Sequence, residues 1–414
     1  MPYRLLKFAL SKTYPEPRMF HARARLKDEY DVVIIGGGGH GLAAAYYLAT
    51  DHGITNVAVL EKSYLGGGGT GRNTAIIRAN YLTPEGSRFY QASMELFEDL
   101  SRQLDLNLFY SRRGHFTLAH SPAALRTSRW RAGVNRHLGI DSQVVGPEFI
   151  KRTIPEIDLT CGGHQAPICG ALYHPPGAIA RHDAVAWGYA RGADRKGVEI
   201  HQQTAVTGVE LRDNQVIGVH TDKGFVKTHK VLSAVAGWTT HVTKMVGLRT
   251  PLVVHPLQAM VTEPLKRWLD AIVVSASLHI YLSQSSRGEL VAGASLDPYE
   301  LMSTRSTLDF AEGLSAHLLD LFPCLGGVKV LRQWAGLSDM TPDFSPIMGT
   351  TPIGGFYLDS GWGTWGFKAT PISGKTMAHT VARGTDHELI VPFNLSRFGR
   401  FELVGEKGAA AVGH

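Results

Sequence analysis

Cysteine is scarce in this chain, which has Cys161, Cys169 and Cys324 among its 414 residues. So few cysteines do not build a disulfide framework, and they are typical of proteins in a reducing compartment. We therefore expect a cytoplasmic location. Cys161, His164 and Cys169 lie close together, but their spacing matches no common zinc pattern and lacks a fourth ligand, so the sequence predicts no metal site.

Long apolar runs and blocks of basic residues are also missing. No stretch approaches the roughly 18 apolar residues that a membrane span needs, and residues 1–29 lack the sustained apolar segment of a signal peptide. The formal net charge of +6 comes without a Lys/Arg block. We expect neither a membrane nor a nucleic-acid partner, although acidic substrates remain compatible with this charge.

Glycine is abundant, with 46 residues, and its first cluster follows a predicted strand. The β-branched run 31–35 is typical of a strand buried on both faces. The turn after it contains G-x-G-x-x-G at Gly36, Gly38 and Gly41. A helix predicted over 42–50 would aim its first amides at a pyrophosphate. These features together predict a dinucleotide site rather than an ordinary glycine-rich loop.

Three further segments indicate that the dinucleotide is FAD. A predicted strand over 56–60 ends in Glu61, which suits ribose hydroxyls. The glycine-rich loop 62–73 follows, and a simple nicotinamide dehydrogenase does not need it. A strand over 355–359 then runs into the loop 361–371, whose amides are able to face the flavin pyrimidine edge.

The order of the segments predicts an α/β fold, α+β overall, with enough chain for two domains. We expect a Rossmann-like FAD-binding domain of the two-dinucleotide-domain flavoprotein type. This domain is discontinuous and would comprise 30–82, 169–240 and 332–395. A mixed-sheet substrate domain would comprise 83–168 and 241–331. Residues 1–29 would form an N-terminal extension and 396–414 a C-terminal tail.

The chain resembles the β subunits of heterotetrameric sarcosine oxidases, within the amine-oxidising flavoproteins that also include the monomeric sarcosine oxidases. The resemblance runs from Glu29 to His414. The segments that show it are GGGGHGLAAAYYLA after the Asp31 strand, TGRNTAIIRANY from Thr70, IARHDAVAWGYAR from Ile179, HPLQAMV from His255, RQW from Arg332, TPDFSPIMG from Thr341 and GWGTWGFKATPISG from Gly361. One departure is Trp365, where the family commonly has glycine, and it bears on sarcosine specificity.

The resemblance implies roles for four residues. Arg78 and Lys368 would bind the substrate carboxylate, the first as a fork and the second as a point charge. His182 would carry FMN covalently through the 8α-methyl position, and His279 would be an active-site histidine. From sequence alone, a surface cation or a capping or core histidine is the alternative for each.

A wider set of residues is expected to contact noncovalent FAD. The set is Gly36, Gly38, Gly39, Gly41, Glu61, Lys62, Gly69, Thr70, Arg72, Asn73, Gly237, Gly361, Gly363, Thr364, Gly366 and Phe367.

The resemblance implies oxidation of sarcosine by hydride transfer to FAD. Electrons would pass to FMN and then to O2, giving hydrogen peroxide, and the one-carbon product would leave as formaldehyde or pass to tetrahydrofolate on the α subunit. The expected partners are the α, γ and δ subunits. The alternatives are an opine, proline or other secondary amino acid dehydrogenase, and a flavin-retaining assembly subunit without catalysis of its own.

Overall fold

Two large β-sheets and a cavity between them organise the chain. The computed structural model describes residues 25–163 and 165–406, together with 3, 6, 9–11, 19–21 and 23. The predicted extension 1–29 and tail 396–414 therefore lie partly outside the described residues, and His164 lies outside them altogether.

The strands are β1 (Val32–Ile35), β2 (Val57–Leu60), β3 (Ile76–Ile77), β4 (Ser111–Arg112), β5 (His115–Ala119), β6 (Gln143–Val145), β7 (Gly170–His174), β8 (Ala178–Ile179), β9 (Glu199–His201), β10 (Val206–Arg212), β11 (Gln215–Thr221), β12 (Gly224–Lys227), β13 (Val231–Ser233), β14 (Val253–Pro264), β15 (Ile272–Ser275), β16 (Ile280–Gln284), β17 (Glu289–Leu296), β18 (Val330–Met340), β19 (Ile347–Thr350) and β20 (Phe356–Ser360). The α-helices are α1 (Gly39–Asp51), α2 (Pro84–Gln103), α3 (Pro122–His137), α4 (Pro147–Thr153), α5 (His182–Arg195), α6 (Thr239–Met245), α7 (Leu308–Leu321), α8 (Gly366–Arg383) and α9 (Arg397–Arg400). Short 3-10 helices are Thr70–Arg72, Cys161–Gly163, Ala236–Trp238, Pro323–Leu325 and Glu388–Phe393. No helix in the described parts of the chain combines the length and the apolarity that crossing a membrane requires.

The first sheet has six strands in the order β19-β20-β13-β1-β2-β9, and all pairs except β19 with β20 are parallel. Side chains along β1 alternate between two apolar clusters. Val32 and Ile34 pack into a cluster that includes α1 and α8, whereas Val33 and Ile35 pack against residues of β10, β11 and β12. Burial on both faces explains the uninterrupted apolar run, and the predicted α/β fold with a parallel sheet is confirmed.

Helix α1 begins at Gly39, earlier than the predicted start at Gly41 and Leu42. Gly38 is its N-cap in an extended conformation and has no side chain to cap the helix. Because glycine is a poor helix former, the glycines in the first turn of α1 do not indicate a helix, and the predicted start is too late. The apolar run 231–238 also predicts a strand, but β13 ends at Ser233 and a 3-10 helix follows.

The crossing of α1 and α8 depends on Gly374. A Cβ placed there would lie 2.4 Å from Ala43 Cβ and 2.7 Å from the Ala43 carbonyl carbon. We expect Gly374→Ala to lower the free energy of unfolding by about 1 to 3 kcal/mol, because overpacking outweighs the gain in helix propensity. Chemical denaturation measures this change. Gly133→Ala is the matched control, because nothing lies within 4 Å of that helical position; it should stabilise by about 0.5 to 1 kcal/mol, and equal effects of the two variants would contradict the packing argument.

The second sheet is mixed, as predicted, with the order β18-β14-β17-β16-β15-β5-β7-β6. It includes β7 and β18, whose segments were assigned to the nucleotide domain by the predicted boundaries at 169 and 332. Those two boundaries are corrected here. A short apolar strand has the same appearance in either sheet, and its membership is decided by pairing with distant partners, β5 for β7 and β14 for β18.

The last described residues are tied to the core by buried charges. Arg397 binds Asp343 through two hydrogen bonds, Nε to Oδ2 at 2.8 Å and Nη2 to Oδ1 at 2.9 Å. Glu406 accepts hydrogen bonds from the backbone N–H groups of Leu82 and Thr83 at 3.0 and 2.9 Å. The carboxylate of Glu406 thereby holds the N-terminus of α2 next to the segment that carries Arg78.

Candidate active site

A cavity of about 710 Å³ lies between the two sheets. Its walls include both glycine-rich loops, the segment around Gly237 and the loop before α8. Most of the predicted cofactor and substrate residues line it. Those that do are Gly36, Gly38, Gly39, Glu61, Lys62, Gly69, Thr70, Arg72, Asn73, Arg78, Gly237, Gly363, Thr364, Gly366, Phe367 and Lys368.

Gly41 and Gly361 lie behind the cavity wall and support its loops. A Cβ at Gly41 would lie 2.1 Å from the carbonyl oxygen of Gly36, so the turn closes only over glycine. The Gly361 N–H donates to Asp339 Oδ2 at 2.6 Å. Burial raises the pKa of Asp339 to about 6, although the backbone N–H groups around it act in the opposite direction.

The first glycine turn has the geometry of a phosphate cradle. Gly36 has a φ of +110°, and a Cβ there would lie 2.4 Å from the carbonyl oxygen of Ala234. The N-terminus of α1 opens onto the cavity, and Gly39 N–H donates to Thr70 Oγ1 at 2.9 Å. Close backbone approach, a helix N-terminus and a hydroxyl in one place fit the pyrophosphate of a dinucleotide.

Glu61 and Lys62 lie beside the first glycine turn. Glu61 accepts hydrogen bonds from Gly37 N–H at 2.9 Å and Ser63 N–H at 2.8 Å. Each carboxylate oxygen retains a second lone pair for a ribose hydroxyl. Lys62 Nζ lies 3.0 Å from the ring centroid of Trp238, and burial lowers the pKa of Lys62. The donor and acceptor set of these two residues therefore fits the adenosine half of FAD.

Arg78 and Lys368 line the same cavity and are both nearly inaccessible to solvent, at 6% and 7% exposure. Arg78 Nη1 donates to Asn80 Oδ1 at 2.9 Å, and its guanidinium lies 4.6 Å from the ring centroid of Tyr81. Lys368 belongs to the first turn of α8. Burial, followed by the charge of Arg78, holds the pKa of Lys368 well below its usual value. The Arg78 guanidinium and the Lys368 amino group, whose charged form a nearby anion favours, are suited to bind an anionic ligand in this cavity.

His40 is a site residue that the sequence reasoning missed. Its Nδ1 lies 3.2 Å from both carboxylate oxygens of Asp359, and its Nε2 lies 2.8 Å from the carbonyl oxygen of Gly366. Both partners are acceptors, so the charged form of the ring, which donates from both nitrogens, satisfies both contacts. Burial opposes this charge, but Asp359 and the hydrogen bonds outweigh it and raise the pKa of His40. His40 thereby joins the first glycine turn to the loop that carries Lys368.

The histidines singled out by the resemblance do not line the cavity. The alternating segment from Leu278 predicts a strand, but β16 begins at Ile280. His279 lies in the turn before it, with a φ of +51°. This placement does not support the predicted active-site role of His279. His182 begins α5, and its Nδ1 is buried and has no hydrogen-bond partner within the described parts of the chain.

Two other cavity residues bear on ligand shape. Trp365, the departure from the family pattern, is buried in the wall and packs edge-on against Tyr81, with ring centroids 5.1 Å apart. His115, which the sequence reasoning also missed, faces the cavity from β5. Among the described residues, no group of three or more His, Cys, Asp or Glu side chains is placed to hold a metal ion.

The fold and the cavity together define a dinucleotide-dependent oxidoreductase. A family model for FAD dependent oxidoreductases (DAO) matches residues 31–380, and the chain belongs to this family. More narrowly, it belongs with the β subunits of sarcosine oxidases. It is 45% identical over 385 residues to "Sarcosine oxidase subunit beta" of Rhizobium meliloti (strain 1021), covering 93% of this chain and 92% of that protein.

Two further comparisons agree with this family. The protein of the same name from Arthrobacter sp is 44% identical over 398 residues, covering 96% of this chain and 98% of that protein. Among solved structures, L-proline dehydrogenase from P. horikoshii superposes with a TM-score of 0.86 at 26% identity, covering 92% of this chain and 100% of that chain. The prediction of an FAD-dependent amine oxidoreductase is confirmed at the level of the family.

Proposed function

We propose that this chain is the β subunit of a heterotetrameric sarcosine oxidase, which converts sarcosine to glycine. The observation that carries the proposal is the pair of buried cations, Arg78 and Lys368, at the end of a dinucleotide cavity. Identity of 42% to 45% to proteins named sarcosine oxidase subunit beta supports the choice of substrate. When bound, FAD supplies the hydride acceptor for the N-methyl carbon, and covalent FMN supplies the step to O2 that yields hydrogen peroxide.

The residues of the chain bind and orient the substrate. The guanidinium of Arg78 would grip the single carboxylate as a fork, and the ammonium of Lys368 would add a point charge. Such charge-assisted hydrogen bonds contribute about 1.5 to 3 kcal/mol each. Asn80 holds Arg78, and Arg131 Nε donates in turn to the Asn80 carbonyl oxygen at 2.9 Å. The substrate carboxylate thus meets a guanidinium whose position is fixed before binding.

Covalent attachment of FMN to His182 is part of the proposal. The Nδ1 of His182 is buried and unpartnered within the described parts of the chain, and burial lowers the pKa of the ring. A neutral imidazole with a free nitrogen has the lone pair that a bond to the 8α-carbon of FMN requires. Arg181 and Asp183 form an ion pair beside it, with Nε to Oδ1 at 2.7 Å. These features fit an FMN bound to His182 at a junction between subunits.

The proposed complex includes α, γ and δ subunits, and the name of the relatives as subunits supports an assembly of several chains. The one-carbon unit would leave as formaldehyde or pass to tetrahydrofolate on the α subunit. A cytoplasmic setting belongs to the same proposal and agrees with the free thiols of Cys161, Cys169 and Cys324.

We expect the denatured chain, purified with its partner subunits, to carry a mass increase of one FMN, and His182→Ala to remove it. Acid precipitation should release FAD from both proteins. Mass spectrometry and the visible spectrum of the pellet measure the two flavins separately. His220→Ala is the matched control, because that imidazole is exposed and paired with Glu210 at 2.9 Å. An unmodified wild-type chain that releases FAD alone would exclude the covalent FMN and leave the FAD site intact.

A second candidate is a dehydrogenase of proline or another secondary amino acid. Trp365 in the cavity wall and the superposition on L-proline dehydrogenase favour it. Anaerobic reduction of the bound flavin by sarcosine and by L-proline distinguishes the two functions. Faster reduction by proline without peroxide formation in air would select the dehydrogenase. Reduction by neither compound would favour an assembly subunit without catalysis of its own.

A further inference from the structure

His115 lies at the start of β5 with its side chain turned toward the cavity. Successive residues of a strand point to opposite faces. Phe116 and Leu118 pack into the apolar cluster on the far side of the second sheet. His115 therefore points the other way and lines the cavity, together with Arg78 and Lys368.

Backbone packing fixes the position of His115. A Cβ added to Gly177 would lie 2.6 Å from His115 Cβ, so the two segments are in close contact. The N–H groups of Arg113 and Gly114 donate to the Gly177 carbonyl oxygen at 2.8 and 2.9 Å. His174 lies directly opposite His115 in β7. The packing of the backbone around Gly177 and β7 thus fixes the place of the His115 side chain.

His115 is only 2% exposed, and no hydrogen bond joins its ring to another residue in the described parts of the chain. Its Nδ1 is buried and makes no hydrogen bond to any described residue. Buried polar groups in proteins are almost always paired. Because Nδ1 is inaccessible, Nε2 is the ring nitrogen that a ligand in the cavity can reach and pair with.

The surroundings of His115 keep its ring neutral. Burial is the largest influence that holds the pKa of His115 well below its usual value, and the charge of Arg78 comes next. His174, Arg131 and Lys368 act in the same direction. His174 itself has a pKa lowered to about 4 by burial, and its Nε2 accepts a hydrogen bond from Ala79 N–H at 3.3 Å. A neutral imidazole has one nitrogen with a free lone pair, which is an acceptor.

We propose that His115 accepts a hydrogen bond from the N–H of the bound substrate, on the cavity wall that also carries Arg78 and Lys368. The site would then select ligands with a carboxylate and an adjacent N–H, and His115 would be the residue that recognises the nitrogen. This inference rests on the proposed function, because it places the substrate carboxylate on Arg78 and Lys368. The role is one of positioning and specificity and involves no covalent step.

The test compares two ligands of the same shape, pyrrole-2-carboxylate and 2-furoate, in which oxygen replaces the ring N–H. Each is titrated into the flavin-loaded complex, and the change in flavin absorption gives the dissociation constant. We expect His115→Phe to lower the affinity for pyrrole-2-carboxylate by about 10-fold, which corresponds to the loss of one ordinary hydrogen bond. The affinity for 2-furoate should change by less than about 3-fold. His115→Asn retains an acceptor and should recover part of the loss.

Thr117→Val, two residues along the same face of β5, is the matched control and should leave both affinities unchanged. The assignment would be overturned if His115→Phe and His115→Asn lowered the affinity for both ligands equally. It would also be overturned if neither affinity changed. In both cases wild-type binding of 2-furoate would show that the carboxylate site is intact. If the wild-type complex bound neither ligand, the proposed function would fail, and the role of His115 would fail with it.

Discussion

Replacing Lys368 with methionine should lower kcat/KM for sarcosine by roughly 10- to 150-fold, the equivalent of one charge-assisted hydrogen bond of about 1.5 to 3 kcal/mol. The same change should raise stability. Lys368 is buried beside Arg78, and both burial and that charge hold its pKa well below the usual value. Methionine fills a similar volume without a charge to desolvate, so a gain of roughly 0.5 to 2 kcal/mol is expected.

Steady-state kinetics and thermal unfolding of the purified complex measure the two opposite changes at Lys368. Lys375→Met is the control on the same helix, because that side chain is about half exposed and lies 3.8 Å from Asp51. It should change both quantities little. Loss of activity together with loss of stability in Lys368→Met would show that the lysine holds the fold rather than the substrate.

Replacing Asp343 with asparagine should destabilise the protein by about 3 to 5 kcal/mol, because it leaves the guanidinium of Arg397 buried without a counter-charge. Both side chains are 1% exposed and are joined by two hydrogen bonds. Asp343 also accepts a hydrogen bond from Val404 N–H at 3.0 Å. Arg400→Met is the control, since its pair with Glu402 is exposed, and a change of less than about 1 kcal/mol is expected there.

The contribution of Asp343 should depend on pH in a defined direction. Burial raises the pKa of this carboxyl, but Arg397 and the backbone N–H groups outweigh burial, so the pKa lies below 3.8 in the folded protein. The stabilisation is then present above the unfolded value and is lost as the pH falls through the folded value. Chemical denaturation from pH 6 to pH 3 measures it. A difference between wild type and Asp343→Asn that persisted unchanged at the acidic end would contradict the ion-pair explanation.

Local sequence predicted the cofactor end of the fold well. An apolar β-branched run, a glycine turn and a helix follow one another within β1 and α1, and each of these signals acts over a few residues. The strand ends and helix starts differ by one to five residues, as between Gly39 and Leu42 and at the end of β13. Sheet membership was harder to predict, because β7 and β18 carry the same kind of apolar pattern as the strands of the first sheet.

The substrate end of the site was predictable in part. Arg78 and Lys368 were identified through the resemblance, and both line the cavity. His115 carries a local signal, the alternation His-Phe-Thr-Leu, but the cavity-facing side follows from the pairing of β5 with the distant β15. In the sequence, His40 was interpreted only as a residue of the glycine turn and not as a site residue. Its role depends on Asp359 and Gly366, which are far away in sequence.

The strand order of the first sheet constrains how the protein is made. The sheet begins at Val32 and includes strands that end at Ser360, so its parallel core is incomplete until nearly the whole chain has left the ribosome. At ordinary rates of synthesis that takes roughly 20 to 70 s. During this time β13 lacks its partner β20, and the apolar face of the sheet that packs against α8 is uncovered. The nascent chain should therefore depend on chaperones, and fragments that stop before Phe356 should aggregate rather than fold.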